Sequence, residues 1–282
     1  MELSFKTNLT NKVVIITGGA GVLCSTFARA IAMCGAKVAI LDLNLEKAEE
    51  VASSIKKDGY EAHAFKCNVL EKESIEAAYN DIKNLYGTCD ILINGAGGNS
   101  PKATTDDEFF DESVMNDLEK KSFFDLDLNG FNFVFGLNFT GTLLPTQIIA
   151  KDMINKENAS IINISSMNSF TPLTKIPAYS AAKAAISNFT KWLAVYFSKV
   201  NIRVNAIAPG FFSTEQNAKL LWNVDGTPTA RTKKILNNTP MGRFGESEEL
   251  LGTLIWLLDK SSSFITGIVV PVDGGFSAYS GV

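Results

Sequence analysis

A single histidine, His63, is all the imidazole in this sequence of 282 residues. A His-based triad or a multi-histidine metal site is excluded unless His63 itself lies in a pocket. The four cysteines, Cys24, Cys34, Cys67 and Cys89, have no CxxC spacing. That argues against a zinc site and a redox dithiol, and no metal is expected. The cysteines read as buried free thiols in a reducing compartment. A basic surplus is also missing, the formal charge being −4. Neither a nucleic-acid face nor a polybasic membrane patch is implied. No apolar run reaches the roughly 18 to 20 residues of a bilayer span. The start, MELSFKTNLTNK, has no apolar signal core. The expectation is a cytoplasmic protein without membrane or nucleic-acid partners.

What is present is a core. Hydrophobic residues make up 46% and charged residues 20%, enough for a sizeable globular interior. Apolar strand-like runs alternate with helix-length segments. VVIIT (13–17) precedes a helix over about 22–34. KVAIL (37–41) precedes the amphipathic LEKAEEVASSIKKDG, and HAFKCNV (63–69) precedes KESIEAAYNDIKNLYG. CDILIN (89–94), SIINIS (160–165), IRVNAI (202–207) and IVVPV (268–272) supply further strands. Continuous apolar strands separated by helices imply a parallel sheet covered on both faces. The fold class is therefore α/β, a Rossmann-like doubly wound sheet. No linker or repeat divides the chain, so residues 1–282 read as one domain.

One segment breaks the rhythm. Residues 98–131 are acidic and aromatic, too long for a simple connection, and follow a strand's carboxyl end. Doubly wound folds bind ligands there, so a substrate-facing insertion is expected.

TGGAGVLC joins the first strand to the first helix. Gly18, Gly19 and Gly21, with Val22 and Leu23 opening the helix, let backbone N–H groups approach a pyrophosphate. Asp42 ends the second strand, where a carboxylate accepts ribose hydroxyls and repels a 2′-phosphate, favouring NAD over NADP. Asn68 and Val69 end the third strand, beside an expected adenine. Asn94, Gly95, Ala96 and Gly97 end the fourth, letting the chain pass close to a cofactor.

Tyr179 and Lys183 lie one helical turn apart in AYSAAKAAISNF, a stretch of alanines and serines. A lysine there favours phenolate, so the pair is expected to make an acid–base phenol near neutral pH. Ser166, after SIINIS, places a hydroxyl at a strand end. Asn138 is a polar residue in the apolar run FNFVFGLNFTGTLL, either a buried amide bonded to backbone or an anchor for water beside Lys183. Pro209 and Gly210 in APGFFST allow a close pass, with Phe212 and Thr214 facing the same cofactor.

This ordered set resembles the short-chain dehydrogenase/reductase family over nearly the whole chain. The resemblance implies a seven-stranded sheet, a nicotinamide cofactor and an Asn-Ser-Tyr-Lys constellation at Asn138, Ser166, Tyr179 and Lys183. It implies Tyr179 as acid/base, Ser166 polarising the carbonyl, Lys183 holding the ribose and tuning the phenol, and Asn138 completing a proton relay. It also implies a homodimer or homotetramer. Two departures stand out. The usual TGxxxGxG has Val22 and Cys24 in place of glycines, and the usual NNAG reads NGAG.

The segments GNSPKATT, TPLTKIPAYSAAK, PGFFSTEQN and VPVDGGFSAYSGV resemble a bacterial sugar-acid subgroup of that family acting on D-mannonate and D-fructuronate. Asn99, Lys102 and Lys175, beside Ser166 and Tyr179, then supply polar and cationic groups for a sugar acid, with Arg231 and Arg243 as further carboxylate partners. Gluconate 5-dehydrogenase or 3-oxoacyl-carrier-protein reductase chemistry would use the same catalytic residues, and the acidic insertion argues against docking of a carrier protein. A nicotinamide-binding regulator without turnover is the reading from another class.

Overall fold

The computed structural model describes residues 7–117, 119–213 and 221–281. Seven strands form one sheet: β1 (Val13–Thr17), β2 (Lys37–Asp42), β3 (Ala62–Lys66), β4 (Ile91–Asn94), β5 (Ala159–Ile164), β6 (Ile202–Pro209) and β7 (Val269–Val272). Their order is β3-β2-β1-β4-β5-β6-β7, and every pair is parallel. Chain progression reverses between β1 and β4. Connections leave on opposite faces there, and a crevice opens at the carboxyl ends of the strands.

Successive strand residues point to opposite faces. On one face Val14, Ile16, Val38, Ile40, Ile93 and Ile162 pack beneath α1 (Val22–Met33), α2 (Leu45–Lys57) and α8 (Leu251–Leu258). On the other, Ile15, Leu41, Leu92, Ile161 and Val204 pack beneath α3 (Lys72–Tyr86), α5 (Gly141–Ile149) and α6 (Pro177–Tyr196). Burying each such branched side chain contributes roughly 1.5–3 kcal/mol. With both faces covered, the strands need no polar alternation, and none is seen in β1.

Among its described residues the insertion forms short 3₁₀ turns at Pro101–Ala103, Glu112–Asn116 and Phe123–Asp125. It ends sooner than the sequence suggested, because α4 (Leu128–Phe135) begins within it, capped by the Asp127 carboxylate accepting from the Asn129 N–H. A π-helical turn, Gly136–Thr140, joins α4 to α5.

The continuous helical run Leu128–Met153 corrects one reading. With mean hydropathy 1.3 it is long and apolar enough to cross a membrane by length and composition. Asn129, Asn132, Asn138, Gln147, Lys151 and Asp152 lie within it, so the sequence shows no unbroken apolar stretch there. Its inward residues Val134, Ile149 and Met153 are fully buried in the domain's own packing. α7 (Ala230–Asn237) precedes α8, with a 3₁₀ turn at Ser247–Leu250 between them.

Candidate active site

A groove with about 1100 Å³ of open space runs along the carboxyl ends of β1, β4, β5 and β6. Gly18, Gly21, Val22, Leu23, Gly95 and Gly97 line one side of it. Ser166, Tyr179, Lys183, Pro209, Gly210 and Phe212 line the other. Val22 therefore opens α1 without closing the groove.

The glycines are there because side chains do not fit. Gly18 has φ +62°, and a Cβ on it would lie 2.8 Å from the Ala96 Cα. A Cβ on Gly210 would lie 2.5 Å from that of Asp273. A Cβ on Gly97 would meet both Asn138 Oδ1 (2.7 Å) and Lys183 Nζ (3.2 Å), so these two side chains converge behind the loop.

α1 begins at Gly21 with no side-chain cap and no acidic residue in its first turn. Its first N–H groups are thus left for an anion. The Asp42 carboxylate accepts from the Ala20 N–H (3.1 Å) and the Asn44 N–H (2.9 Å), which fixes it beside the same turn. An uncapped helix start, bare backbone and a carboxylate at the next strand end fit a dinucleotide.

Other expected cofactor residues stand outside the groove lining. Gly19 packs against Ile40, where a Cβ would sit 2.8 Å from the Ile40 Cγ2. The Asn68 amide is used in its own turn. Its Nδ2 donates to Glu71, and its Oδ1 accepts from the Leu70 N–H. Val69 packs against Gly141, and the Ala96 N–H donates to the Thr17 hydroxyl (3.4 Å). Asn94 is a correction. Its buried Nδ2 donates to Thr146 Oγ1 (3.0 Å) and Asn163 Oδ1 (2.9 Å), tying β4 to β5 and α5. Its strand position turns the side chain toward the helices and away from the groove. Thr214 lies outside the described residues.

The residues expected to be catalytic lie close together. Ser166 follows β5 and caps a 3₁₀ turn, accepting from the Asn168 N–H (3.3 Å). Ser166 hydrogen-bonds the Tyr179 phenol. Lys183 is buried, donates from Nζ to the Ile164 carbonyl (2.8 Å), and stands 5.5 Å from the Tyr179 ring centre. Asn138 is fully buried at the π-turn. Its Nδ2 donates to the Gly98 carbonyl (2.7 Å) and the Val134 carbonyl (2.8 Å), and its Oδ1 accepts from the Gly98 N–H (3.3 Å). Its side chain thus holds the loop after β4. π-turns interrupt helices at functional positions often enough to mark this one.

Electrostatics revise one expectation. Burial raises the Tyr179 phenol above its ordinary range, and the hydrogen bond from Ser166 pulls against that. The net direction is upward even though the Lys183 ammonium stands 5.5 Å from the ring centre. Burial pushes that ammonium down to about 8, and Nζ is committed to a backbone carbonyl. Both groups are starved of water, which disfavours both charges.

The substrate-side residues are scattered. Asn99 Nδ2 donates to Thr104 (3.2 Å) at an exposed position. Lys102 lies against Gly130 of α4, away from the groove lining. Lys175 Nζ donates to the Asp106 carbonyl (2.6 Å) and borders a second cleft. Arg243 is held bidentate by Glu249 at 2.7 Å. His63 sits on β3 with Nδ1 2.6 Å from the Tyr86 hydroxyl, remote from the groove. All four cysteines are free, and no metal-binding cluster occurs among the described residues.

Sequence reasoning missed Gly98, Phe211, Leu221 and Phe244 as lining residues, and the Ile164 carbonyl as the partner of Lys183. The apolar ones carry no sequence signal beyond ordinary core patterning. A carbonyl acceptor has none at all.

A profile of the family described as short chain dehydrogenase matches residues 12–224. The chain belongs to this family. It is an oxidoreductase of the kind that acts on CH–OH groups. An uncharacterized oxidoreductase of Haemophilus influenzae is 62% identical, over 100% of this chain and 99% of the relative. A 3-oxoacyl-[acyl-carrier-protein] reductase of Aquifex aeolicus is 35% identical (95% and 98%). A 5-keto-D-gluconate 5-reductase of Escherichia coli is 31% identical (95% and 96%). Among solved structures, a Haemophilus influenza protein assigned provisionally as a D-mannonate oxidoreductase, with bound NAD, superposes with TM-score 0.95. It is 61% identical, and the match covers 100% of each chain.

Proposed function

We propose that this short-chain dehydrogenase uses NAD to interconvert a secondary alcohol and a ketone on a six-carbon sugar acid, D-mannonate and D-fructuronate being the favoured pair. The observation that carries the reading is the Ser166–Tyr179–Lys183 set on one wall of a groove whose other wall is an uncapped, glycine-rich helix start. The relative with NAD supports the cofactor. Asp42 beside the Ala20 N–H supports NAD over NADP. The 5-keto-D-gluconate reductase supports a sugar acid that reacts at carbon 5.

Bound NAD supplies the hydride acceptor or donor. The protein does the rest. Ser166 Oγ donates to the substrate oxygen, and Tyr179 Oη takes the hydroxyl proton in oxidation and returns it in reduction. Lys183, held by the Ile164 carbonyl, keeps a cation beside the ring, and a ribose hydroxyl is within its chemistry. Asn138 holds Gly98, and with it the loop after β4 that lines the groove.

Assembly through the face of α6 is part of the proposal. Trp192 (55% exposed) and Tyr196 (66% exposed) present stacked rings to the outside. A reducing, cytoplasmic setting suits four free thiols.

The deciding assay follows absorbance at 340 nm with NAD and a panel of hexonates, uronates and neutral sugars. D-Mannonate oxidation with NAD, absent with NADP, is expected. Turnover of β-ketoacyl thioesters in preference to any sugar acid would overturn the substrate assignment. Nicotinamide binding without turnover of any alcohol would favour a regulator.

A further inference from the structure

The groove does not end at Tyr179. Phe211 lines both it and a second cleft with about 1290 Å³ of open space. That cleft lies between the insertion at Glu108 and Phe109, the loop at Thr171 and Thr174, and α7 at Arg231 and Lys234. The loop leads from Ser166 to Tyr179, so the cleft adjoins the reacting groups.

Three cations and one carboxylate line this cleft: Lys175, Arg231, Lys234 and Glu108. Two of the cations are already engaged. Lys234 forms an ion pair with Glu108, and Lys175 donates to the Asp106 carbonyl. The Arg231 side chain makes neither a hydrogen bond nor an ion pair with any described residue, although its charge lies within electrostatic reach of the Glu108 carboxylate. It stands in the first turn of α7, which contains no acidic residue. An excess of positive charge focused in a cleft is otherwise unexplained in a chain of net charge −4.

Resting on the sugar-acid reading above, we propose that Arg231 is the residue that binds the substrate carboxylate. The substrate then lies across Phe211, its carboxylate toward α7 and its reacting carbon toward Tyr179. A planar guanidinium suits a carboxylate through two parallel N–H bonds, which a lysine cannot offer. The arrangement selects acids whose reacting carbon is remote from the carboxylate and disfavours 2-keto acids. It also displaces Lys102 and Lys175 from the carboxylate role. Lys175 and the Lys234–Glu108 pair instead hold the insertion against the far wall of the cleft.

The test is a steady-state comparison of wild type, Arg231→Ala and Arg231→Lys. The substrates are 5-keto-D-gluconate and the neutral ketose D-fructose, with NADH affinity from fluorescence as the folding control. Arg231→Ala is expected to raise KM for the keto acid by about tenfold or more, with kcat and NADH affinity little changed. D-Fructose kinetics should not move, and Arg231→Lys should recover part of the loss. Equal effects on the two substrates, or none on the acid, overturn the assignment of Arg231 while leaving the sugar-acid reading in place. A wild type that prefers D-fructose overturns the sugar-acid reading and the anchor with it. If neither is reduced, calorimetry of D-mannonate with the NADH complex decides. Binding lost in Arg231→Ala upholds the anchor, and binding retained or absent in both proteins overturns it.

Discussion

Gly95 and Cys24 occupy each other's space. A Cβ on Gly95 would lie 2.2 Å from the Cys24 sulfur, far inside van der Waals contact, and 2.8 Å from the Thr17 carbonyl oxygen. Cys24 stands where the family motif has glycine, and Gly95 where it has asparagine. The two departures are one exchange: bulk moved from β4's end to α1's first turn. The gain and the loss of bulk meet at the same point. The thiol there is buried and pushed up to about 12, so it acts as a small apolar filler.

Gly95→Ala should therefore cost about 1–3 kcal/mol of stability through overpacking, read as a fall in urea midpoint, and weaken NADH binding. In a Cys24→Gly background the sulfur is gone and much of that cost should disappear, although the Thr17 carbonyl still crowds the new methyl. A double-mutant cycle measures the coupling. Costs that simply add would show that the two residues are independent.

Tyr179→Phe keeps the ring and deletes the proton. Turnover should fall by at least about 100-fold, the scale of a lost general acid–base group, while NADH binding by fluorescence stays within twofold. Ser166→Ala removes the donor that opposes the burial effect on the phenol. Its pH–rate profile should move to higher pH in the oxidation direction. A profile that does not move would place Ser166 outside the phenol's environment.

Much of this was readable in the chain. β1, β2 and β4 to β6 announce themselves because strands buried on both faces are unbroken apolar runs. The YxxxK pair stood out because a lysine among alanines lacks the charged neighbours of a solvated face. Less visible was anything fixed by contact between distant segments. Asn94 read as a cofactor residue because strand ends usually face ligand, and only the helix packed on β4 turns it to Thr146 and Asn163. Likewise the acidity assigned to Tyr179 followed from spacing along one helix. Burial depends on everything around the helix and reverses the sign.

Asp42 tests cofactor choice. Its carboxylate is pinned by the Ala20 and Asn44 N–H groups, so it cannot swing away from a 2′-phosphate. Asp42→Ala should lose NAD efficiency and gain NADPH use, narrowing the preference by about tenfold or more. Efficient NADPH use by the unaltered protein would remove Asp42 as the discriminator.

Lys183 ties the active site to stability. Burial pushes its ammonium down to about 8, against roughly 10.4 in an unfolded chain. Between those values the unfolded chain carries a proton that the native state has released. Stability from this group therefore rises with pH across that window, by up to about 1.4 kcal/mol per unit, and is lowest below it. Cys67, pushed up to about 11, and Cys24 oppose the trend above about pH 9, where unfolded thiols ionise. The clean observable is the difference between wild type and Lys183→Met. In urea unfolding the variant's advantage should be largest at pH 7 and shrink toward pH 9. A difference flat across that range would mean the ammonium is as easily charged in the fold as outside it.

The outer face of α6 argues for assembly. Phe139 meets Phe189 edge to face (5.4 Å), Phe189 stacks on Trp192 (6.3 Å), and Trp192 stacks on Tyr196 (4.8 Å). Val195 beside them is 77% exposed. An ordered aromatic row at a surface, next to an exposed valine, is the kind of apolar face that the proposed assembly would cover. Light scattering after size exclusion should give a dimer or tetramer. Trp192→Glu with Tyr196→Glu should shift it to a monomer without changing NADH affinity. A wild type that stays monomeric at high micromolar concentration would leave this row needing another partner.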